Sequence, residues 1–126
     1  MEKTIKITLR QKNGEMKDYF FDFVPLSKRH EYIKKERALD ERKDEDGAPI
    51  ETTPVEYEEM QAEFVAGLFN DNSVTAKTLL EGLDTTEANI IPEIVRYRVL
   101  GFSQEEEEAA KKAIQDKLSA GQNSTI

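Results

Sequence analysis

The stretch from Glu63 to Phe102, EFVAGLFNDNSVTAKTLLEGLDTTEANIIPEIVRYRVLGF, decides the fold. It holds nearly half of the chain's large aliphatic and aromatic side chains, cut into short helical lengths by Asn, Asp, Ser, Thr, Gly and Pro. Asn70-Asp71-Asn72 stops one helix, Ser73 or Thr75 caps the next, and Leu79, Leu80 and Leu83 give that helix an apolar side near residues 75–83. Asp84 with Glu87 offers another capping pair. Pro92 lacks a backbone donor and clashes one turn back, so it must either kink a helix or stand in its first turn. The spacing favours a short turn at 86–90 and a helix near 91–100. Ile91, Ile94, Val95 and Val99 would be its buried side, Gly101 its left-handed C-terminal residue, and Phe102 the hydrophobic contact folding back after it.

Upstream, Thr53-Pro54-Val55-Glu56 combines an N-cap, proline at the first helical position and a capping-box glutamate. The helix it opens carries Tyr57, Met60, Phe64 and Leu68 on one face, widened by Val65 and Phe69. Before it, EDGAPIETTP at 45–54 reads as a loop and a natural hinge. Residues Leu26 to Asp44 favour helix, but Leu26, His30, Ile33 and Arg37 make a poor stripe, with Tyr32 and Leu39 off its line. Shallow docking is predicted, with acids and bases interleaved on a solvated face in pairs such as Glu31 with Lys35, and His30 as a surface imidazole.

At the N-terminus, Thr4 to Leu9 alternates with Ile5, Ile7 and Leu9 on one side, and Asn13-Gly14 supplies hairpin turn chemistry. The return run KDYFFDFVP repeats the alternation through Tyr19, Phe21 and Phe23, while Phe20 on the other face suggests cover on both sides. At the other end, Ser103 with Glu106 starts a helix whose front glutamates, Glu105 to Glu108, and later lysines, Lys111, Lys112 and Lys117, complement its dipole. Its stripe is only Ala110, Ile114 and Leu118, and the final GQNSTI is expected to fray. The resulting fold class is α+β, mainly α. A β-hairpin (4–24) packs on a small bundle of four to five short helices from about residue 26, in a single domain 1–102, and residues 103–126 form a charged C-terminal helix and tail.

A chain of 126 residues with 37% hydrophobic and 35% charged side chains has a thin core for its size. The net charge of −8 is uneven: residues 1–44 hold 12 basic and 9 acidic groups (+3), residues 45–95 hold 1 and 12 (−11), and residues 96–126 hold 5 and 5 (0). The acidic middle repels phosphate, which argues against nucleic acid as a partner. Absence of cysteine excludes disulfides, thiolate catalysis and zinc-thiolate sites. No apolar run reaches the roughly 18 residues of a membrane span, and MEKTIKITLR is not a secretory leader, so a soluble intracellular protein is expected.

Chemistry is sparse. Carboxylate pairs such as Glu58-Glu59 are expected on an exposed acidic helix, and acid catalysis would need a pocket that raises one pKa. NDNS at 70–73 lacks the ligand order and closing glutamate of a calcium loop, and no glycine array suits a phosphate. Neither catalytic, cofactor-binding nor metal-binding residues are assigned, and no cofactor is expected. Apolar side chains beyond what short helices can bury alone point instead to reversible association through hydrophobic patches. A groove between the 55–69 and 91–100 helices is the candidate surface, with Phe69, Leu80, Ile94, Tyr97 and Leu100 as candidate contacts. Ordinary core packing is the competing reading for each.

The order of hairpin, charged helix, acidic loop and the 63–102 stretch, followed by a charged helix, resembles the tail assembly chaperones of long-tailed bacteriophages and prophages of Gram-positive bacteria. The resemblance covers nearly the whole chain and is strongest from Phe64 to Gly101, through Leu68-Phe69, Thr75, Leu79-Leu80, Gly82-Leu83-Asp84 and Leu100-Gly101. It implies a non-enzymatic scaffold in the host bacterial cytoplasm that coats the tape measure protein, helps recruit tail tube protein and is absent from the mature virion. A homo-oligomer or several copies on the client, and a longer frameshifted form sharing this N-terminal part, are further implied. A structural tail or head-tail connector subunit retained in the virion, or a small acidic regulatory protein, are the alternatives.

Overall fold

The computed structural model describes residues 1–123. Two strands, β1 (Ile5–Arg10) and β2 (Met16–Phe21), pair antiparallel with Ile5 opposite Phe21 and Ile7 opposite Tyr19. Helices α1 (Leu26–Asp40), α2 (Pro54–Ala66) and α3 (Ala76–Gly82) follow, then a 3-10 turn, Thr85–Glu87. Helix α4 (Ile90–Glu93) runs directly into a π-helical segment, Ile94–Val99, and α5 spans Gln104–Asn123. This is the α+β, mainly helical architecture that the punctuation of the sequence predicts.

The hairpin alternates as expected, burying Ile5, Ile7, Leu9, Tyr19 and Phe21. Its turn is a loop in which Gly14 takes φ +85° and Asn13 accepts from the Glu15 N–H at 2.9 Å. A side chain is costly at that φ, whereas glycine adopts it freely. The second strand ends at Phe21, short of Phe23, and the cover expected over Phe20 is missing: Phe20 is 70% and Phe23 68% exposed. Two strands cannot sustain themselves, and this pair is held at both ends. Gly82 of α3 lies so close to β1 that an added Cβ would stand 3.0 Å from the Leu9 Cβ and 3.2 Å from the Arg10 carbonyl. On the other side, Arg98 donates to the Lys3 and Asp22 carbonyls at 3.0 and 3.2 Å, joining the two outer ends of the hairpin to the π segment.

Helix α1 is shallowly docked, but on a different face from the one read in the sequence. Leu26 and Ile33 point to solvent, and the single buried side chain is Tyr32, 1% exposed. Its ring meets Phe64 edge-on at 5.2 Å, and its hydroxyl accepts from Gln61 at 3.1 Å. A large ring whose polar end reaches a partner outweighs two aliphatic side chains on a highly charged helix. The helix also stops at Asp40 rather than Asp44. Lys28 pairs with Glu31 at 3.1 Å, while Lys35 lies over the Phe64 ring at 5.8 Å.

The segment expected to hinge is pinned instead. Lys43 bridges Pro49 across a turn in which Asp44 accepts from Asp46 and Ala48 N–H groups and Gly47 takes φ +81°. Arg42 then reaches Glu56 at 2.6 Å, and the Thr52 hydroxyl bonds Asp40 at 3.0 Å. Glu56 is the third residue of the predicted capping box, which forms in full with Thr53. One carboxylate therefore caps α2 and ties it to the loop.

Helix α2 buries Ala62, Phe64, Val65 and Ala66, with Leu68 and Phe69 just beyond its end, while Tyr57 and Met60 are half-buried. It packs on α3 and α4. Pro92 occupies the first turn of α4, where its missing donor leaves no helical bond unmade. Ile91, Ile94, Val95 and Val99 are all buried as predicted, and a π turn achieves it: Leu100 N–H bonds the carbonyl five residues back, at Val95. Gly101 closes the segment at φ +76° and Phe102 N–H bonds Arg96, but the Phe102 ring is exposed rather than folded back. Helix α5 starts at a Ser103 cap and extends to Asn123, past the Gly121 at which fraying was expected; residues 124–126 lie outside the described residues.

Candidate functional site

Four helical elements meet without filling the space between them. The cleft so formed, about 170 Å³, lies where α2, α3, the 3-10 turn and α4 converge. Its floor is Leu79 and Ile91, both in the core, with Leu83 half-buried beside them. Leu80 and Pro92 stand at its edge, and Glu58, Asp84 and Glu87 bring carboxylates to its rim. The local cause is the brevity of α3. Seven residues capped by Thr75 can aim Leu79 inward, but Leu80 follows one position later and projects outward, 46% exposed.

Asp84 is fixed in place, accepting from the Thr86 hydroxyl at 2.6 Å and its N–H at 2.9 Å, and these bonds hold its carboxyl below the usual range. The same direction holds at Glu56, Asp71 and Glu107, whose partners are Arg42, Ser73 and Tyr97. Each of these carboxyls is kept ionised by donors, the reverse of what a proton-donating acid needs. At 70–73 the geometry is loop punctuation: Asp71 accepts from the Ser73 N–H and hydroxyl. Among the described residues, no group of three or more His, Asp or Glu side chains is placed to hold a metal ion, and no helix is long and apolar enough to cross a membrane.

The five candidate contacts do not share one surface. Leu80 lines the cleft. Phe69 is buried, its ring edge-on to Phe21 at 4.8 Å, and Ile94 is fully buried. Tyr97 is half-buried and donates its hydroxyl to Glu107 at 2.5 Å, which raises its pKa and anchors the first turn of α5. Leu100 packs against the edge of the core. Sequence reasoning missed Leu83, Asp84, Glu87 and Pro92 as cleft residues because each had a sufficient local role as stripe, cap or helix start. The available signal was that α3 carries leucine on more of its circumference than seven residues can bury.

A second hollow, about 430 Å³, lies beside β2, bordered by Phe20, Phe23, Leu68 and Phe69 with Asp18 and Asp71. Its lining mixes the exposed Phe20 and Phe23 with carboxylates and Asn70, and Leu26 at the start of α1 is exposed as well.

The fold and the cleft define a small, mainly helical α+β protein that presents an acid-rimmed apolar recess outside a closed core. A family model described as phage tail chaperone protein matches residues 1–116, and the chain belongs to that family. No curated protein and no solved structure matches it. It is thus a chaperone of phage tail assembly, which takes place in the host cell, and its interactions are with tail proteins.

Proposed function

We propose that this chain binds the tape measure protein, keeps it soluble, and helps recruit tail tube subunits during tail morphogenesis, without catalysis. Family membership narrows the role to tail assembly, and the observation that carries the finer reading is apolar surface left outside a completed core. Leu80 at the cleft, and Phe20, Phe23 and Leu26 elsewhere, are exposed although eighteen of the described residues already close the interior. Such surface serves reversible association with a polypeptide that would otherwise aggregate. Several copies bind along one client and leave before the tail is complete. Of the five candidate contacts, Leu80 is exposed at the cleft, Tyr97 and Leu100 are half-buried outside its lining, and Phe69 and Ile94 are buried, so Leu80 is the contact this reading favours. Co-expression with the tape measure protein tests this, with client in the soluble fraction as readout. The expected result is a several-fold rise in soluble client; equal insolubility with and without this chain overturns the proposal. Presence of the chain at many copies in purified virions would favour a retained structural subunit instead.

A further inference from the structure

We propose that the cleft between α2, α3 and α4 takes a cationic amphipathic helix of the client, seating one large apolar side chain between Leu80, Leu83 and Pro92 while its lysines or arginines meet Glu58, Asp84 and Glu87. This rests on the chaperone reading above and specifies the chemistry of the segment bound.

Size comes first. About 170 Å³ is well below the roughly 300 Å³ at which small-molecule sites begin, and suits a single leucine, methionine or aromatic anchor. Backbone geometry then selects the occupant's conformation. The cleft is walled by helical elements and the turns between them, and no strand lines it, so it has no strand edge to lend a partner. A segment entering it must satisfy its own backbone, which a helix does and an extended strand does not.

Charge selects the sign. The residues lining the cleft include Glu58, Asp84 and Glu87 and no basic side chain. The sequence segment that supplies every lining residue agrees in sign, since residues 45–95 carry one basic and twelve acidic groups. Asp84 is already oriented by Thr86, so it offers a fixed carboxylate rather than a swinging one. A neutral or acidic helix would have to desolvate or oppose these charges, whereas a basic one complements them and is drawn in at long range.

The test is fluorescence anisotropy of the full chain against overlapping peptides tiling the tape measure protein, each about 20 residues, roughly 30 Å as a helix. Bound peptides are expected to be net positive with apolar residues at helical spacing, and their affinity to fall about tenfold or more between about 0.05 and about 0.3 M salt. Leu80→Asp should abolish binding, and Glu58→Lys with Glu87→Lys should weaken it about tenfold or more. Glu45→Lys with Glu51→Lys makes the same change of net charge away from the cleft and should leave affinity within about twofold at about 0.15 M salt, where distant charges are screened. Circular dichroism melts verify that every variant is folded. The proposal is overturned if no peptide binds, if the bound peptides are neutral or acidic, or if the two charge reversals act alike. Client solubility on co-expression separates the two readings: a client kept soluble by the Glu58→Lys, Glu87→Lys variant preserves the chaperone role and removes only this site.

Discussion

Glu56 shows how much one side chain can determine. It accepts from Arg42, whose guanidinium is the largest influence on it, and from the Thr53 N–H, and together these hold its pKa down to about 2, from an ordinary 4.5. Because the folded-state value lies below the unfolded one, its contribution to stability is complete above about pH 4.5. It is lost as the pH falls from there through about 2. Denaturant melts at neutral pH and near pH 3 should therefore show that Glu56→Gln is less stable than the parent at neutral pH and that the gap narrows in acid; a gap independent of pH would remove the ion pair from the account. Half of this site was legible in the sequence. The Thr53 to Glu56 spacing declares the capping box, since both partners lie within one helical turn. Arg42 lies fourteen residues earlier, across a loop whose glycine and prolines read as a hinge, and no local periodicity connects it to α2.

At the scale of elements, the unexpected feature is the π segment. The buried set Ile91, Ile94, Val95 and Val99 was readable from apolar spacing, but the widening that accommodates it was not. A five-residue step between Ile94 and Val99 suits a π turn better than an α-helix, yet four apolar residues cannot by themselves distinguish the two. Gly101 ends the segment at φ +76°, with nothing within 4 Å of where a Cβ would stand. Its requirement is therefore conformational alone. Gly101→Ala should cost about 1 kcal/mol with no packing component, and Gly101→Asn less, since asparagine tolerates the left-handed region. Thermal melts of the two variants beside the parent check this, and a Gly101→Ala protein as stable as the parent would mean that the closing turn rearranges freely. Helix α1 teaches a related lesson. Its aliphatic residues suggested one docking face and its aromatic residue provided another, because a stripe drawn through weak apolar positions ignores that Tyr32 alone carries more buried area than either Leu26 or Ile33.

At the scale of the whole molecule, the question is what α5 adds. Its link to the rest runs through Glu107, which pairs with Arg96 at 3.0 Å and accepts from Tyr97, with Gln104 bonded to the N-terminal amine. Its own stripe is largely open to solvent, with Ile114 and Leu118 60% and 63% exposed. Pairs left partly open to solvent stabilise little, and the core gains almost no apolar burial from Ile114 or Leu118. The boundary at residue 102 drawn from the sequence thereby acquires a physical basis to test: the punctuated 63–102 stretch already closes the interior with the hairpin and α1. A chain ending at Phe102 should fold, with a melting temperature lowered by no more than about 8 °C, the shift that about 1 kcal/mol produces in a domain of this size. Loss of the cooperative transition would show instead that α5 is integral. Should the truncated chain fold yet fail to keep its client soluble, the exposed stripe of α5 becomes a second contact surface, because the cleft between α2, α3 and α4 contains no residue of α5 and survives the truncation intact.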